Sequence, residues 1–500
     1  MKKMDKNILD SDRIGRLWLN FTIPAFFALA VHTLYNAVDT VFIGRYVGAD
    51  GIAGLALVFP IQMFSIGIGL MAGTGGASLI SRMLGAEKVS KARLALGNSI
   101  TITALLSLIV SIAGLANISW WCRILGASDN TLIYTSDYLH VILLGMIFMS
   151  SSMTLSTVIR AGGNARVPMI GMVVSAFINI ALDWLFIGPM EMSVKGAAWA
   201  TVISQILCTI YFLIYYFAGE PVLTLSRRKL IPAIKIIYRK AELTFRLRDL
   251  RPDWGITCEI FIIGFSILGM TLSGSVSAIV VNRTVASFGG DIAMAAYGII
   301  TKVMMFAIMP AIAAGQGLQP IIGFNYGARR FDRVLKSIKI GVVSTTVIGV
   351  IVFLYVYFNT EAVVKIFIED KELIGLSSYA VKRVFTAMYL IGFINIGSTV
   401  FQSIGKSMAV QAFLSTVTRS VLFLLPAVMI LPRFMGLDGV WWAFPISDFL
   451  TFVLVFGMLA PVWFEMKRMA SAGRKKKAEE ENSSSDEPVI EPAAAAARCR

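Results

Sequence analysis

Long apolar runs, separated by short polar segments, make up most of this 500-residue chain. Twelve of these runs reach the roughly 20 residues that a helix needs to cross a hydrocarbon core about 30 Å thick. They lie near residues 19–44, 52–80, 95–117, 131–159, 167–188, 196–218, 256–287, 292–324, 338–358, 378–404, 408–431 and 438–463. The pattern predicts an all-α polytopic membrane protein with twelve transmembrane helices. Because the polar, basic start of the chain leads directly into the first run, we expect no cleavable signal peptide.

The composition agrees with a membrane protein. Hydrophobic residues make up 57% of the chain and charged residues 15%, compared with roughly 25% charged residues in soluble domains. The four cysteines, Cys122, Cys208, Cys258 and Cys499, lie far apart and lack metal-ligand spacing. They therefore predict neither a disulfide nor a metal centre.

The basic residues are distributed unevenly between the two sets of loops. If alternate loops face the same side, 34 Lys and Arg residues lie on the side of the N-terminus and nine lie on the other. Such an excess marks the cytoplasmic side, so both termini are expected in the cytoplasm. Membrane topology therefore explains the net charge of +15, and we expect no nucleic-acid partner.

The chain also repeats itself at an offset of 241 to 243 residues. Gly75 corresponds to Gly317, and the sequence LGA at 84–86 corresponds to YGA at 326–328. Each repeat contains six spans, an even number, so the two copies run parallel and are related by an axis along the membrane normal. The sequence thus predicts two parallel six-helix lobes with pseudo-two-fold symmetry around a central cavity.

This arrangement divides the chain into five parts. They are a cytoplasmic N-terminus (1–18), an N-lobe with spans 1 to 6 (19–218), a cytoplasmic connector between the lobes (219–255), a C-lobe with spans 7 to 12 (256–465) and a cytoplasmic tail (466–500). The basic connector is compatible with a helix on the membrane surface. The tail is polar with clustered charges, which is typical of disorder.

Four acidic residues lie inside the apolar spans. They are Asp39, Asp183, Glu259 and Asp448. A carboxylate at the centre of a bilayer costs roughly 2.5–3.5 kcal/mol on insertion scales, so it is seldom left there without a partner or a task. We therefore treat these four residues as candidates for function.

Asp39 and Asp183 both have polar neighbours at helical spacing. Asn179 lies one turn before Asp183 and shares its helix face. Asn36 and His32 lie on the helix face of Asp39. Each carboxylate is therefore expected to lie beside other polar groups.

These two carboxylates are not duplicated, although the scaffold is. The positions that correspond to Asp39 and Asp183 in the second repeat are Val281 and Leu425. A structural requirement shared by both lobes would have been duplicated, so the asymmetry favours function over packing. Two carboxylates with amide and hydroxyl oxygens suit a small cation, or a site that stores a proton.

Motifs for ATP hydrolysis and for common hydrolases are not found in the sequence. The IGKS sequence at 404–407 resembles the end of a phosphate-binding loop, but the position that requires glycine is Val400. There is no HExxH or GxSxG, and His32 and His140 are the only histidines. We therefore expect no enzymatic activity and no cofactor. If the protein moves a substrate, an ion gradient or the substrate's own gradient must drive the movement.

Three sequence stretches resemble the MATE (multidrug and toxic compound extrusion) family. GQGLQPIIGFNYGARR at 315–330 is similar to the family's signature after the eighth span. GTGGASLISRMLGA at 73–86 is similar to the corresponding element of the first lobe, and GLDGVWWAFPISD at 436–448 to the start of the last span. The resemblance covers about residues 13–465, and the acids of the N-lobe point to the family's DinF-like prokaryotic branch.

The resemblance implies roles for particular residues. It implies a coupling-ion site, for Na+ or H+, that is formed by Asp39, Asn179, Asp183 and Thr201. It also implies that Pro24 allows span 1 to bend. We expect five further residues to line the cavity or surround the site, namely His32, Tyr35, Asn36, Met63 and Met172. Methionine side chains are flexible and suit a cavity that accepts varied shapes.

The two remaining acids have other interpretations. NorM-like members of the family use an acid in span 7, but Glu259 follows the sequence RPDWG by only a few residues. We interpret it as a carboxylate at the cytoplasmic surface. We interpret Asp448 as the structural partner of Arg419 in span 11, since a buried acid and a buried base each need the other.

The sequence therefore predicts a cation-coupled antiporter that exports organic, often cationic, compounds by alternating access. It would act as a monomer in the prokaryotic cytoplasmic (inner) membrane, with membrane lipid and small organic substrates as its partners. One alternative is a flippase for a lipid-linked or polysaccharide precursor, but basic residues inside the spans are nearly confined to Lys302 and Arg419. Another is a membrane enzyme or receptor that transports nothing, which the internal duplication and the missing catalytic motifs disfavour.

Overall fold

The structure, a computed structural model, describes residues 8–11, 13–218, 220–226, 233–239, 247–368 and 370–485. In chain order, spans 1 to 6 are the helices Ile14–Tyr46, Ala49–Gly85, Val89–Leu115, Leu132–Ala161, Arg166–Ile187 and Ser193–Ala218. Spans 7 and 8 are the two arms of the helix Trp254–Gly327, span 9 is Phe331–Phe358, span 10 combines Lys371–Ala387 with Leu390–Ile404, span 11 is Lys406–Met435 and span 12 is Leu437–Ser485. Short helices are Ile8–Asp10, Ile118–Ile124, Leu247–Leu250 and Thr360–Lys365.

Spans 7 and 8 are divided by a single glycine. A helix of 74 residues would be about 110 Å long at 1.5 Å per residue, more than three times the thickness of a hydrocarbon core. Gly290 has φ 62° and ψ −157°, a conformation that only glycine adopts readily, so the chain turns there. Span 10 is also interrupted, with a bend of 46° between its two helices. With the two arms counted separately and the bent pair counted as one span, the described residues contain the twelve predicted spans.

The sequence repeat is also a repeat in packing. Gly85 at the end of span 2 packs against the backbone carbonyl of Phe324 in span 8, so closely that a Cβ would collide with it. Gly327 at the end of span 8 packs in the same way against the carbonyl of Arg82 in span 2. These two contacts exchange when 242 is added or subtracted, which confirms the predicted pseudo-two-fold relation. Small residues allow this close approach between membrane helices.

The lobes share a core at one end of the bundle and have separate cores at the other. The shared core lies at the end that carries the N-terminus, which we call the inner end, and includes Met71 and Leu96 of the N-lobe with Ile260 and Leu318 of the C-lobe. Toward the other end, the outer end, one apolar cluster contains only N-lobe residues and another only C-lobe residues. The bundle is therefore joined at the inner end.

The described parts of the two cytoplasmic segments contain regular secondary structure. The sequence of the connector is compatible with a surface helix, whereas its described part contains the antiparallel strands β1 (Glu220–Ser226) and β2 (Ala233–Arg239). Isoleucines at 234, 236 and 237 favour a strand because they are β-branched. The tail was expected to be disordered from residue 466, but span 12 continues to Ser485. This stretch is rich in Lys, Ala and Glu, which are strong helix formers, and residues 486–500 lie outside the described part.

Candidate functional site

Three helices of the N-lobe carry the predicted site residues in buried positions. Asp39 lies on span 1, Asn179 and Asp183 lie on span 5, and Thr201 lies on span 6. Their side chains are between 0% and 4% exposed. Asn179 and Asp183 lie one turn apart and both are buried, so span 5 directs one polar stripe into the lobe. The predicted burial of carboxylates among apolar helices is therefore observed.

These four side chains share a second property, which is a lack of hydrogen-bond partners. Among the described residues, no partner is found for Oδ1 of Asp39, either side-chain atom of the Asn179 amide, either oxygen of Asp183, or Oγ1 of Thr201. A buried polar group left unsatisfied costs about 1–3 kcal/mol, and a charged one costs more. A ligand that forms hydrogen bonds with these four side chains would therefore stabilise the N-lobe.

The two carboxyl groups interact with each other. Asp39 on span 1 and Asp183 on span 5 are close enough for their charges to interact directly. Two ionised carboxylates can only accept hydrogen bonds, so without a proton or a cation the pair is purely repulsive. The arrangement can therefore bind a small cation among oxygen ligands, or hold one shared proton.

Three of the five surrounding residues that the sequence predicts line a small cavity next to span 1. His32, Tyr35 and Met172 line it together with Gln205. The Nε2 atom of His32 lies 3.4 Å from the Tyr35 hydroxyl, and the two rings pack edge to face. These residues place a polar and adaptable wall one to two turns from Asp39.

The structure places the other two surrounding residues differently. Asn36 is exposed, and its amide donates to the backbone carbonyl of His32 at 2.8 Å, so it is not directed at Asp39. Met63 is half-buried on span 2. Pro24 is buried inside span 1, which continues as one helix on both sides of it. Their roles stay predictions.

Sequence reasoning missed polar residues on spans 2, 4 and 6. Tyr138 is buried within electrostatic range of both carboxylates, and its hydroxyl accepts a hydrogen bond from Nε2 of Gln62 at 3.0 Å. The Ser152 hydroxyl donates to Oε1 of Gln205 at 2.6 Å. Gln205 follows Thr201 by one helical turn, so the spacing rule used for Asn179 would have found it.

The two remaining mid-span acids both pair with arginines. Nη2 of Arg82 in span 2 donates to Oε1 of Glu259 in span 7 at 2.7 Å, which links the two lobes at the inner end. Glu259 was interpreted as a carboxylate at the cytoplasmic surface, and the sequence did not predict its partner in the other lobe. Nε of Arg419 donates to Oδ1 of Asp448 at 2.5 Å, as the sequence predicted.

Comparison with known families gives a match to the family model MatE, over residues 24–185 and 266–427. The two matched segments have equal length and are 242 residues apart, so each lobe matches once. Together they cover more than half of the chain.

Relatives and solved structures agree with this match. A protein from Staphylococcus saprophyticus called "Multidrug export protein MepA" is 27% identical over 450 residues, which cover 90% of this chain and 94% of that protein. The solved structure of the "MATE multidrug transporter DinF-BH" is 33% identical, covers 92% of this chain and 98% of its own, and has a TM-score of 0.80. A MATE crystal structure "in complex with MaL6" shares the fold with a TM-score of 0.84 at 22% identity, covering 93% of this chain and all of that one.

Proposed function

Because this chain belongs to the MatE family of multidrug export transporters, we propose that it exports organic compounds in exchange for Na+ or H+. The coupling ion binds at Asp39, Asn179, Asp183 and Thr201. The protein acts as a monomer in the cytoplasmic membrane with both termini in the cytoplasm, and it has no enzymatic activity. Its multi-pass membrane architecture follows from the apolar spans.

The observation that supports this assignment most strongly is the set of buried polar atoms without partners in the N-lobe. Oxygen atoms from two carboxylates, an amide and a hydroxyl are the ligands that hard cations prefer. Secondary transporters place coupling-ion sites near the membrane midplane. A proton shared by Asp39 and Asp183 would relieve the same repulsion, so both ions fit the residues.

The distribution of apolar cores supports alternating access. The shared core at the inner end closes the path between the lobes there, while the separate cores toward the outer end leave the lobes independent. The inner end carries the excess of basic residues and therefore faces the cytoplasm. In this arrangement the cavity opens away from the cytoplasm, and exchange of ion and substrate would drive the lobes toward the opposite arrangement.

The substrate class follows from charge and from the relatives. Two unpaired carboxylates make the N-lobe favourable for cations, so cationic organic compounds and the coupling ion would exclude each other there. The names of MepA and DinF-BH describe multidrug transport by other proteins, and we propose the same class of substrates here. A lipid-precursor flippase is disfavoured because basic residues inside the spans are nearly confined to Lys302 and Arg419.

The test is efflux of a cationic dye, rhodamine 6G, from proteoliposomes in which a Na+ gradient and a pH gradient are imposed separately. We expect one of the two gradients to drive efflux and the Asp39→Asn variant to lose that response. If neither gradient changes the rate of efflux by the unaltered protein, the proposal is contradicted.

A further inference from the structure

A second cavity, of about 340 Å³, lies in the C-lobe where it meets span 2. Spans 7, 8, 10 and 11 form most of its wall, and four amide side chains line it: Gln316, Gln319, Asn395 and Gln402. Apolar residues such as Met270 and Ile312 complete the lining. Pockets of roughly 300–1,000 Å³ with an apolar wall and a few polar groups are typical of sites for small organic molecules.

Arg419 is the one charged side chain among the described residues that line this cavity. Its Nε donates to Asp448 at 2.5 Å, which is the one hydrogen bond that the guanidinium makes with a described residue. The Asp448 side chain is 2% exposed, whereas that of Arg419 is 27% exposed. Because a guanidinium has five N–H donors, the Nη groups of Arg419 are left for the cavity while Asp448 lies behind it.

The backbone around Arg419 is unusual in a way that fixes the side chain. Residues Thr418–Leu424 form a π-helix inside span 11, and such wide turns occur frequently at functional sites. The Ser447 hydroxyl of span 12 donates to the Arg419 carbonyl at 2.7 Å. The Ser277 hydroxyl of span 7 donates to the Ser420 carbonyl at 3.1 Å. Neighbouring helices thus hold the backbone of the wide turn in place, and the ion pair with Asp448 positions the Arg419 side chain.

We propose that this C-lobe cavity binds the carboxylate of anionic or zwitterionic organic molecules through the Nη donors of Arg419. Two parallel N–H donors match the two oxygens of a carboxylate. Asp448 neutralises the arginine in the absence of a ligand, which avoids an isolated buried charge, but it also competes with the ligand's negative charge. The inference rests on the proposed export function, because it adds carboxylate-bearing compounds to the substrates.

The test compares two probes of nearly equal shape, 2-naphthoate and 2-naphthamide, by calorimetry on the full chain in phosphatidylcholine nanodiscs without any ion gradient. The purified protein should bind the naphthoate about tenfold more tightly, as expected for a charge-assisted hydrogen bond that is partly opposed by Asp448. Asp448→Asn should increase this preference, because it removes the opposing charge. The double variant Arg419→Gln with Asp448→Asn should abolish it without leaving an unpaired buried charge.

The preference for naphthoate should rise in Asp448→Asn and disappear in the double variant, and these opposite changes indicate ligand binding. If the ion pair had only a structural role, the preference would change in the same direction in both variants. Arg433→Gln, which removes an exposed arginine, is the matched control and should keep the preference. Equal binding of the two probes by the unaltered protein, or an unchanged preference in the double variant, would overturn the proposal.

Two further arms separate carboxylate binding from lipid binding and from ion coupling. Displacement of naphthoate by phosphatidylglycerol in the nanodiscs would assign the Arg419 donors to a lipid phosphate and overturn the carboxylate assignment. Asp183→Asn should retain the naphthoate preference, because its site lies in the other lobe. Loss of ion-driven efflux and loss of carboxylate binding are therefore measured independently, and failure of one leaves the other standing.

Discussion

The two lobes have the same helices but opposite buried chemistry. In the N-lobe, the charges of Asp39 and Asp183 interact, and neither carboxylate has a basic partner among the described residues. In the C-lobe, the pseudo-equivalent positions Val281 and Leu425 are apolar, and Val281 belongs to the packed core. The C-lobe instead has Arg419 paired with Asp448, at positions whose N-lobe counterparts, Phe177 and Ile206, are apolar.

This difference shows that duplication preserved the scaffold and not the sites. An ionised pair of carboxylates carries two uncompensated negative charges and needs a cation or a proton, whereas an arginine paired with an aspartate is neutral by itself. Of these two buried pairs, the N-lobe carboxylates therefore have the stronger electrostatic reason to bind a cation or a proton. The ion pair of the C-lobe is neutral without a ligand, and its Arg419 still offers hydrogen-bond donors to the cavity. Substitutions that act on one lobe alone test this division of roles.

The largest effect is expected from Asp183→Asn, which removes one of the two N-lobe charges. We expect coupled export to fall by at least about 100-fold, because a ligand that loses a charged partner loses roughly 3 kcal/mol. Insertion should be intact, since removing a charge from an apolar span helps the helix to partition. Efflux is measured in proteoliposomes and the amount of folded protein by size-exclusion chromatography.

Asp291→Asn is the matched control for that substitution, because Asp291 is exposed at the start of span 8. It should leave export unchanged. Normal ion-driven efflux by a well-folded Asp183→Asn protein would break the assignment of coupling to the N-lobe.

A smaller effect that should be equal in both lobes is expected from Gly85→Ala and Gly327→Ala. Each substitution places a Cβ against a backbone carbonyl of the other helix, so spans 2 and 8 must separate at a cost of about 1–3 kcal/mol. Both variants should lower the melting temperature by similar amounts in a thermal-shift assay. Gly274→Ala, where a Cβ would meet nothing within 4 Å, should not. A large difference between the two glycines would contradict symmetric packing.

The sequence predicted the parts of the fold that depend on length and composition. Apolar runs of about 20 residues identified all twelve spans, and the need of a buried acid for a buried base predicted the contact between Arg419 and Asp448. The sequence did not predict Arg82 as the partner of Glu259, because Arg82 was assigned to a loop. Span 2 in fact extends to Gly85 and includes Arg82 in its last turn.

Other features leave little trace in the pattern of polar and apolar residues. The π-helix at 418–424 widens one turn of an apolar helix without changing its composition. The electrostatic interaction of Tyr138 with the carboxylates depends on how span 4 packs within the N-lobe, which spacing along one helix does not encode. The buried, partnerless state of the four N-lobe residues also required the packed structure, although the residues themselves were predicted.

A third prediction concerns the contact that joins the lobes at the inner end. Glu259→Gln removes the charge that pairs with Arg82, so the closed inner end should lose stability relative to an open one. Because both side chains are partly exposed, we expect a change of about 1 kcal/mol, or roughly fivefold in population. Spin labels at the exposed positions Lys88 and Lys406, in a background without native cysteines, would report longer distances. Glu465→Gln, an exposed acid on span 12, is the control, and an unchanged distance distribution in the Glu259 variant would exclude the ion pair as a latch.

Pro24→Ala should have the smallest effect on binding. It is also the substitution that tests most directly how the two lobes influence each other. Before the proline, span 1 is attached to the C-lobe, since Nε1 of Trp18 donates to the carbonyl of Ala314 in span 8 at 3.4 Å. After it, span 1 carries Asp39, about 22 Å further along at 1.5 Å per residue. Proline has no N–H to pair with the carbonyl of Asn20, which permits bending between the two parts.

If span 1 bends at Pro24 when the ion binds, the ion changes the shape of the cavity and competes with a substrate without sharing its ligands. Pro24→Ala should then alter the affinity for either partner alone by less than about threefold, but should reduce their mutual exclusion, which for such coupling is typically about 1–3 kcal/mol. The measurement is rhodamine 6G affinity titrated against Na+ and against pH in both proteins. Ala25→Gly, at the next buried position, controls for a general loosening of the helix. An unchanged ion dependence in the Pro24→Ala protein would mean that the N-lobe site acts on the substrate directly, and that the connection of span 1 to the C-lobe has no part in coupling.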